Sequence, residues 1–99
     1  MNPAKVDRSQ LNALTDLPNI GKAGAADLRL LGIDRPTALI SADPFDLYER
    51  LCTAKGMRVD PCMLDVLISV TRFMTGEDAR PWWAYSAERK AMMKEKSAP

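Results

Sequence analysis

Residues 14–33 read LTDLPNIGKAGAADLRLLGI, a stretch with the pattern of two short helices joined by a tight turn. The first helix is predicted to begin at its N-cap Ser9 and to run to about Thr15, because Leu17, the residue preceding Pro18, is pushed out of the helical region. Small and apolar side chains at helical spacing predict the second helix over 22–31. Gly32 then stands at the C′ position, where a left-handed residue commonly closes a helix.

The turn between these two helices, residues 18–21, is predicted to bind an anion. Gly21 has no Cβ, so a phosphate can approach the backbone closely. The first N–H groups of the following helix have no intrahelical acceptor and point outward with the positive end of the helix dipole, and Lys22 adds a full charge there. Such contacts hold the sugar-phosphate backbone and carry no base information. The predicted contact residues are Asn19, Ile20, Gly21, Lys22, Ala23 and Gly24.

The same segment resembles the helix-hairpin-helix motif, L-x-x-L-P-G-I-G-x-x-x-A-x-x-L-x-x-x-G-I. The agreeing positions are Leu14, Leu17, Pro18, Ile20, Gly21, Ala25, Leu28, Gly32 and Ile33. The resemblance implies DNA binding through the turn without sequence preference, in some members with a monovalent cation on the turn carbonyls. Asn19 replaces the usual first glycine; it tolerates positive φ, but its side chain is expected where a phosphate would approach. The alternative is a hairpin that only packs against other helices or proteins.

Composition limits the remaining function classes. The chain has 99 residues with 14 Lys plus Arg against 13 Asp plus Glu, a net charge of +1, which excludes a protein that coats nucleic acid by net charge alone. From Arg80 onward, however, five basic side chains face two acidic ones. Histidine is absent, and with it the usual general base and zinc ligand. Because no nucleophile is paired with a base, we expect no enzyme activity, no catalytic residue, no metal and no cofactor.

Two longer helices carry matching start and stop signals. Asp43 and Asp60 are each followed by proline, which is an N-cap acid with proline at the first helical position. Gly56 and Gly76 are predicted to end these two helices. A shorter helix is predicted between them and the hairpin, over 34–42.

The second of these helices is apolar almost all round. Its only polar line is Asp65, Ser69 and Arg72, spaced four and three residues apart, which predicts a helix at the centre of a small bundle. A last helix is predicted to start at the N-cap Ser86. No stretch alternates with the period of a strand, so we predict an all-α fold, a single bundle of five or six short helices built on the helix-hairpin-helix.

The predicted domain organisation is simple. Residues 1–8 are expected to be a flexible N-terminus, 9–93 the helix-hairpin-helix domain with its motif at 11–33, and 94–99 a flexible tail. No apolar run approaches the ~20 residues that span a bilayer, and the first residues lack the apolar region of a secretory signal. We therefore expect a cytoplasmic protein without membrane contact.

The two cysteines fit that compartment. Cys52 and Cys62 are expected to be reduced thiols inside the core, since free cysteine is among the most buried residue types and disulfides are rare in the cytoplasm. Their ten-residue spacing neither favours nor forbids a conditional disulfide.

Half of the six aromatic residues lie at Trp82, Trp83 and Tyr85. We expect the indoles to pack over the central helix and close the bundle, because large aromatic side chains dominate small cores. The alternative is that one tryptophan stacks on an unpaired base, with Arg89 and Lys90 as auxiliary DNA contacts.

A longer part of the chain, about residues 11–92, is also similar to one small bacterial family. The order of the hairpin, LYERLC at 47–52, DPC at 60–62 and WW at 82–83 resembles the pathogenicity-locus helix-hairpin-helix proteins, some of which are labelled mitomycin-resistance proteins. The C-terminal domain of the competence regulator TfoX is a more distant resemblance. The family implies the fold and a link to DNA, but no established activity.

These features together predict a small non-enzymatic module that binds DNA backbone phosphates without sequence preference. A single competent hairpin predicts weak binding, with dissociation constants of roughly 10⁻⁴ to 10⁻⁶ M at physiological salt. The alternative is a protein-interaction module in which the hairpin is only structural. A monomer or a weak homodimer fits either function.

Overall fold

Short helices and 3₁₀ turns make up all the regular structure in the computed structural model, which describes residues 1–97. The four α-helices are α1 (Lys22–Leu30), α2 (Pro44–Lys55), α3 (Cys62–Met74) and α4 (Ser86–Lys96). The 3₁₀ turns are Pro3–Lys5, Arg8–Gln10, Leu14–Asp16, Pro36–Leu39 and Trp82–Tyr85. No strand occurs within residues 1–97. The predicted all-α class is confirmed, with four α-helices instead of five or six because the other short segments close as 3₁₀ turns.

The predicted start and end of α2 are confirmed, whereas α3 begins at Cys62, one residue later than predicted. The Asp43 carboxylate accepts the N–H of Phe45 at 2.9 Å, and Gly56 closes α2 with a φ of 65°. The Asp60 carboxylate accepts the N–H of Cys62 at 2.9 Å, at the start of α3. These side chains occupy the N–H groups that a helix start leaves without partners, which is why the two ends are well defined.

Helix α3 is the centre of the molecule, as its apolar sequence predicts. It packs against α2, α4, the Pro36–Leu39 turn and the Trp82–Tyr85 turn. Its buried residues are Leu64, Asp65, Leu67, Ile68, Ser69, Val70, Thr71 and Phe73. Full burial of a Leu, Ile, Val or Phe side chain stabilises a fold by roughly 1.5–3 kcal/mol each, so this helix supplies a large part of the core.

The helix predicted over residues 9–15 does not form, and this prediction is wrong. Two 3₁₀ turns, Arg8–Gln10 and Leu14–Asp16, replace it. The Asp7 carboxylate accepts both the N–H and the hydroxyl of Ser9, and the Asp16 carboxylate accepts the N–H groups of residues 12 and 13. These local side-chain bonds compete with helical bonding in a segment too short to nucleate a stable helix.

The predicted N-cap role of Ser86 is also wrong. Ser86 is the first residue of α4, and its hydroxyl donates to the Asp65 carboxylate at 2.5 Å. Arg89 donates to the other oxygen of the same carboxylate at 2.8 Å, and Asp65 is fully buried. Helix α4 therefore covers Asp65 in the polar line of α3, whereas Ser69 of that line accepts a hydrogen bond from the Asn19 amide.

The first residues contact the body of the protein. The Arg8 guanidinium donates to the carbonyl oxygens of Phe73 and Glu77 at 2.6 and 2.7 Å and lies 3.9 Å from the centre of the Phe73 ring. At the other end, α4 extends to Lys96, and residues 98–99 of the predicted tail lie outside the described part of the chain. The flexibility of 1–8 and 94–99 stays a prediction.

Both cysteines are free thiols, and both are half-buried. Cys52 packs against the core, whereas Cys62 lies in the first turn of α3. Burial, together with the nearby Asp60 carboxylate, raises the pKa of the Cys62 thiol. Within residues 1–97, no helix is long and apolar enough to cross a membrane.

Candidate nucleic-acid interface

A buried isoleucine anchors the turn that precedes α1 to the core. Ile20 is fully buried, and Gly24 of α1 lies directly against it: a Cβ on Gly24 would stand 3.4 Å from the Ile20 side chain. Gly21, by contrast, has open space where a Cβ would be. One glycine therefore lets α1 pack on its own turn, and the other leaves the outer side of the turn accessible.

Four consecutive backbone N–H groups on this turn lack acceptors. The first residue of the segment to make a helical bond is Ala25, whose N–H donates to the carbonyl of Gly21 at 2.9 Å. Among residues 1–97, no carbonyl or side chain accepts from the N–H groups of residues 21–24, and no side chain caps α1. Lys22 is exposed, and it pairs with no acidic side chain among residues 1–97. The site therefore has free donors, a helix-dipole end and one cation together.

Asn19 closes the inner side of the turn. It has a φ of 66°, the positive value that its sequence position predicted. Its amide nitrogen donates to the hydroxyl of Ser69 at 3.0 Å and to the carbonyl of Arg80 at 2.9 Å. Both bonds tie this side chain to α3 and to the chain at Arg80, and the expectation that it lies in the path of a phosphate stays a prediction.

The N-terminal residue also lies on the turn. The carbonyl of Met1 accepts the N–H of Asn19 at 2.8 Å, and the nitrogen of Met1 donates to the carbonyl of Ile20 at 2.6 Å. The motif resemblance implied that carbonyls of this turn can hold a monovalent cation. One of them, the carbonyl of Ile20, already accepts a hydrogen bond from Met1. Sequence reasoning missed this contact because residues 1–4 carry no periodic pattern.

The tryptophans flank the same turn. Trp82 is half-buried, while Trp83 has 63% of its surface exposed, and their rings meet edge to face with centres 5.4 Å apart. The expectation that both indoles pack into the bundle is therefore wrong for Trp83, whereas Tyr85 of the same 3₁₀ turn is buried. A groove of about 590 Å³ lies between the N-terminal residues, the hairpin turn and residues 79–83.

The two auxiliary residues predicted on α4 differ in accessibility. Arg89 keeps only 15% of its side chain exposed and is bonded to the Asp65 carboxylate, so its guanidinium is already occupied. Lys90 is exposed. Lys90 is therefore the more accessible of the two. Arg80 adjoins the turn because its backbone carbonyl accepts a hydrogen bond from the Asn19 amide, a proximity that sequence spacing could not show.

Comparison with known proteins identifies the family. The model of the pathogenicity-locus family, Cdd1, matches residues 7–91. The chain belongs to this family. Mitomycin resistance protein McrB of Streptomyces lavendulae is 42% identical over 80 residues, which cover 81% of this chain and 76% of that protein. No solved structure matches the chain.

The match confirms the family resemblance noted in the sequence. In this pathogenicity-locus protein the matched residues include the hairpin turn, all of α3 and both tryptophans. Within residues 1–97, no three His, Cys, Asp or Glu side chains are grouped so that they could hold a metal ion. The chemistry that the turn itself offers is hydrogen-bond donation and positive charge.

Proposed function

We propose that this pathogenicity-locus protein binds the sugar-phosphate backbone of DNA through residues 19–24, without reading base sequence and without catalysing a reaction. The observation that carries the proposal is the row of four acceptor-free N–H groups beside the exposed Lys22. Backbone amides at a helix start suit phosphate oxygens, because the dipole and the hydrogen bonds act in the same direction.

The rigidity of the turn supports the proposal. Ile20 is fully buried beneath it, and Asn19 bonds it to α3 and to the chain at Arg80. A phosphate would therefore meet donors that are already in place, and binding would not require the ordering of a loop. In this arrangement the turn functions as a helix-hairpin-helix, although its first helix is shortened to the 3₁₀ turn Leu14–Asp16.

The net charge of the protein limits the affinity for DNA that we expect. With a net charge of +1 the protein has little long-range attraction for DNA, so affinity depends on the local site. One hairpin contacts few phosphates, which places the dissociation constant in the non-specific range of roughly 10⁻⁴ to 10⁻⁶ M.

Fluorescence anisotropy with two short duplexes of unrelated sequence tests the proposal. Lys22→Glu is expected to weaken binding to both duplexes by about ten-fold or more, since it removes a charged contact and adds repulsion. Lys94→Glu is the matched control. Lys94 is also exposed and lies in the last turn of α4, and its substitution by Glu changes the net charge by the same amount. Equal loss in both variants, or no binding by the wild type at low salt, contradicts the proposal.

A second candidate function rests on exposed apolar side chains. Trp83, Leu30 and Ile40 are each more than half exposed, which is the kind of surface that protein partners or a second copy of the chain cover. Sedimentation velocity over a range of protein concentrations tests this candidate. A stable dimer whose formation ignores salt and DNA would favour it over the DNA-binding proposal.

A further inference from the structure

The groove beside Trp83 and the row of free N–H groups are neighbours. Asn19 and Gly21 line the groove, and Gly21 is also the first residue of the N–H row. Trp83 stands at the edge of the same groove with 63% of its surface exposed. An exposed aromatic ring and the first of the free N–H donors thus border the same groove.

The exposed indole has one aromatic neighbour. Trp82 is half-buried and meets Trp83 at 85° between ring planes, so it contacts that ring from one side. An exposed aromatic ring is a stacking surface for a base, and stacking tolerates any base because each has a π-face. In an intact duplex those faces are covered by neighbouring bases, so only an unpaired base can use the ring.

We propose that the groove takes an unpaired base of a DNA strand, stacked on Trp83, while a neighbouring phosphate of that strand lies on the N–H groups of residues 21–24. This inference rests on the proposed function and narrows its ligand to gapped or single-stranded DNA. The protein then recognises interruptions in a duplex by structure and remains blind to sequence.

The charge and size of the groove favour this occupant over a second protein. Ten residues line it, none of them has an acidic side chain, and the ammonium group of Met1, one of the lining residues, adds a positive charge beside the turn. A stable protein interface uses roughly 20–30 residues a side, far more than this groove offers. A flat base with a nearby phosphate matches both the size and the charge.

Titration of one duplex in two forms, intact and with a short single-stranded gap, tests the inference. The wild type is expected to bind the gapped form about five-fold to 150-fold more tightly, the range given by one base stacked on an aromatic ring. Trp83→Ala should abolish this preference and leave the affinity for the intact duplex unchanged, whereas Trp83→Phe should retain most of it. Met57→Ala, at a side chain 62% exposed outside the groove, is the matched control.

Fluorescence gives an independent measurement. In Trp82→Phe the indole of Trp83 is the only one in the chain, and its emission should be quenched by the gapped duplex and not by the intact one. Equal affinity for the two forms would overturn this inference and leave the proposed function standing. No binding to either form would overturn both. If Trp83→Ala instead abolishes self-association and leaves the preference for the gapped form intact, the exposed indole pairs copies of the chain and the inference fails.

Discussion

One buried carboxylate on α3 binds two side chains of α4, and Asp65→Ala removes it. Asp65 is fully buried and accepts from the Ser86 hydroxyl at 2.5 Å and from Arg89 at 2.8 Å. The substitution leaves both donors without their acceptor, and Arg89 keeps only 15% of its side chain exposed. The main effect is therefore an unpaired, mostly buried positive charge.

The size of that effect follows from the burial of the pair. Removing one partner of a buried ion pair costs about 3–5 kcal/mol, and the limited water access of Arg89 places this case near 3 kcal/mol. A chain of this length has a total unfolding free energy of about 5–15 kcal/mol, so the variant stays folded but loses a large share of its stability. Asp34 provides the contrast: it pairs with Arg35 at 3.2 Å, but both side chains are about two-thirds exposed, and Asp34→Ala should cost less than about 1 kcal/mol.

Urea unfolding followed by circular dichroism measures both variants at one temperature. Asp65→Ala should lower the midpoint with little change in slope, and the double variant Asp65→Ala, Arg89→Ala should lose less than the two single losses together, because no orphan charge remains. A loss below about 1 kcal/mol in Asp65→Ala, or strict additivity in the double variant, would refute the buried-pair interpretation.

Two further predictions concern the hairpin turn and a buried tyrosine. Asn19→Gly keeps the positive φ but loses the hydrogen bonds to Ser69 and to the Arg80 carbonyl. Urea unfolding should therefore show that the free energy of unfolding falls by about 1–2 kcal/mol. A gain in stability would contradict the role given to the Asn19 amide. Burial raises the pKa of Tyr48, whose hydroxyl donates to the carbonyl of Val59. Above pH about 10 the unfolded chain therefore loses this proton before the folded chain does, and the unfolding free energy should fall as the pH rises. This fall should be smaller in Tyr48→Phe, and identical pH profiles for the two proteins would count against the buried hydroxyl.

Local signals in the sequence were sufficient to predict where α2 and α3 lie in the chain. An acid, a proline and a closing glycine lie within each segment or next to it, so the bonds that define its ends are visible from spacing alone. The apolar surface of α3 likewise predicts its central place. These features depend on contacts between near neighbours in the chain.

Contacts between residues far apart in the sequence explain why some predictions failed. Ser86 and Arg89 have sequence positions typical of a helix cap and a solvated cation, but both bind Asp65, more than twenty residues earlier. Asn19 binds Ser69, fifty residues later, and no periodic pattern records such a pair. The hairpin motif located the free N–H groups, whereas only the folded chain brings Trp83 to the same turn.

The most direct test of phosphate binding by the hairpin is the salt dependence of wild-type affinity for an intact duplex. Contacts with one or two phosphates predict that the logarithm of the association constant falls linearly with the logarithm of salt concentration, with a slope of about −0.9 to −1.8. The slope should be the same for unrelated sequences and should shrink by about one in Lys22→Glu. Affinity that does not respond to salt, or no association at low ionic strength, would contradict DNA binding through this turn.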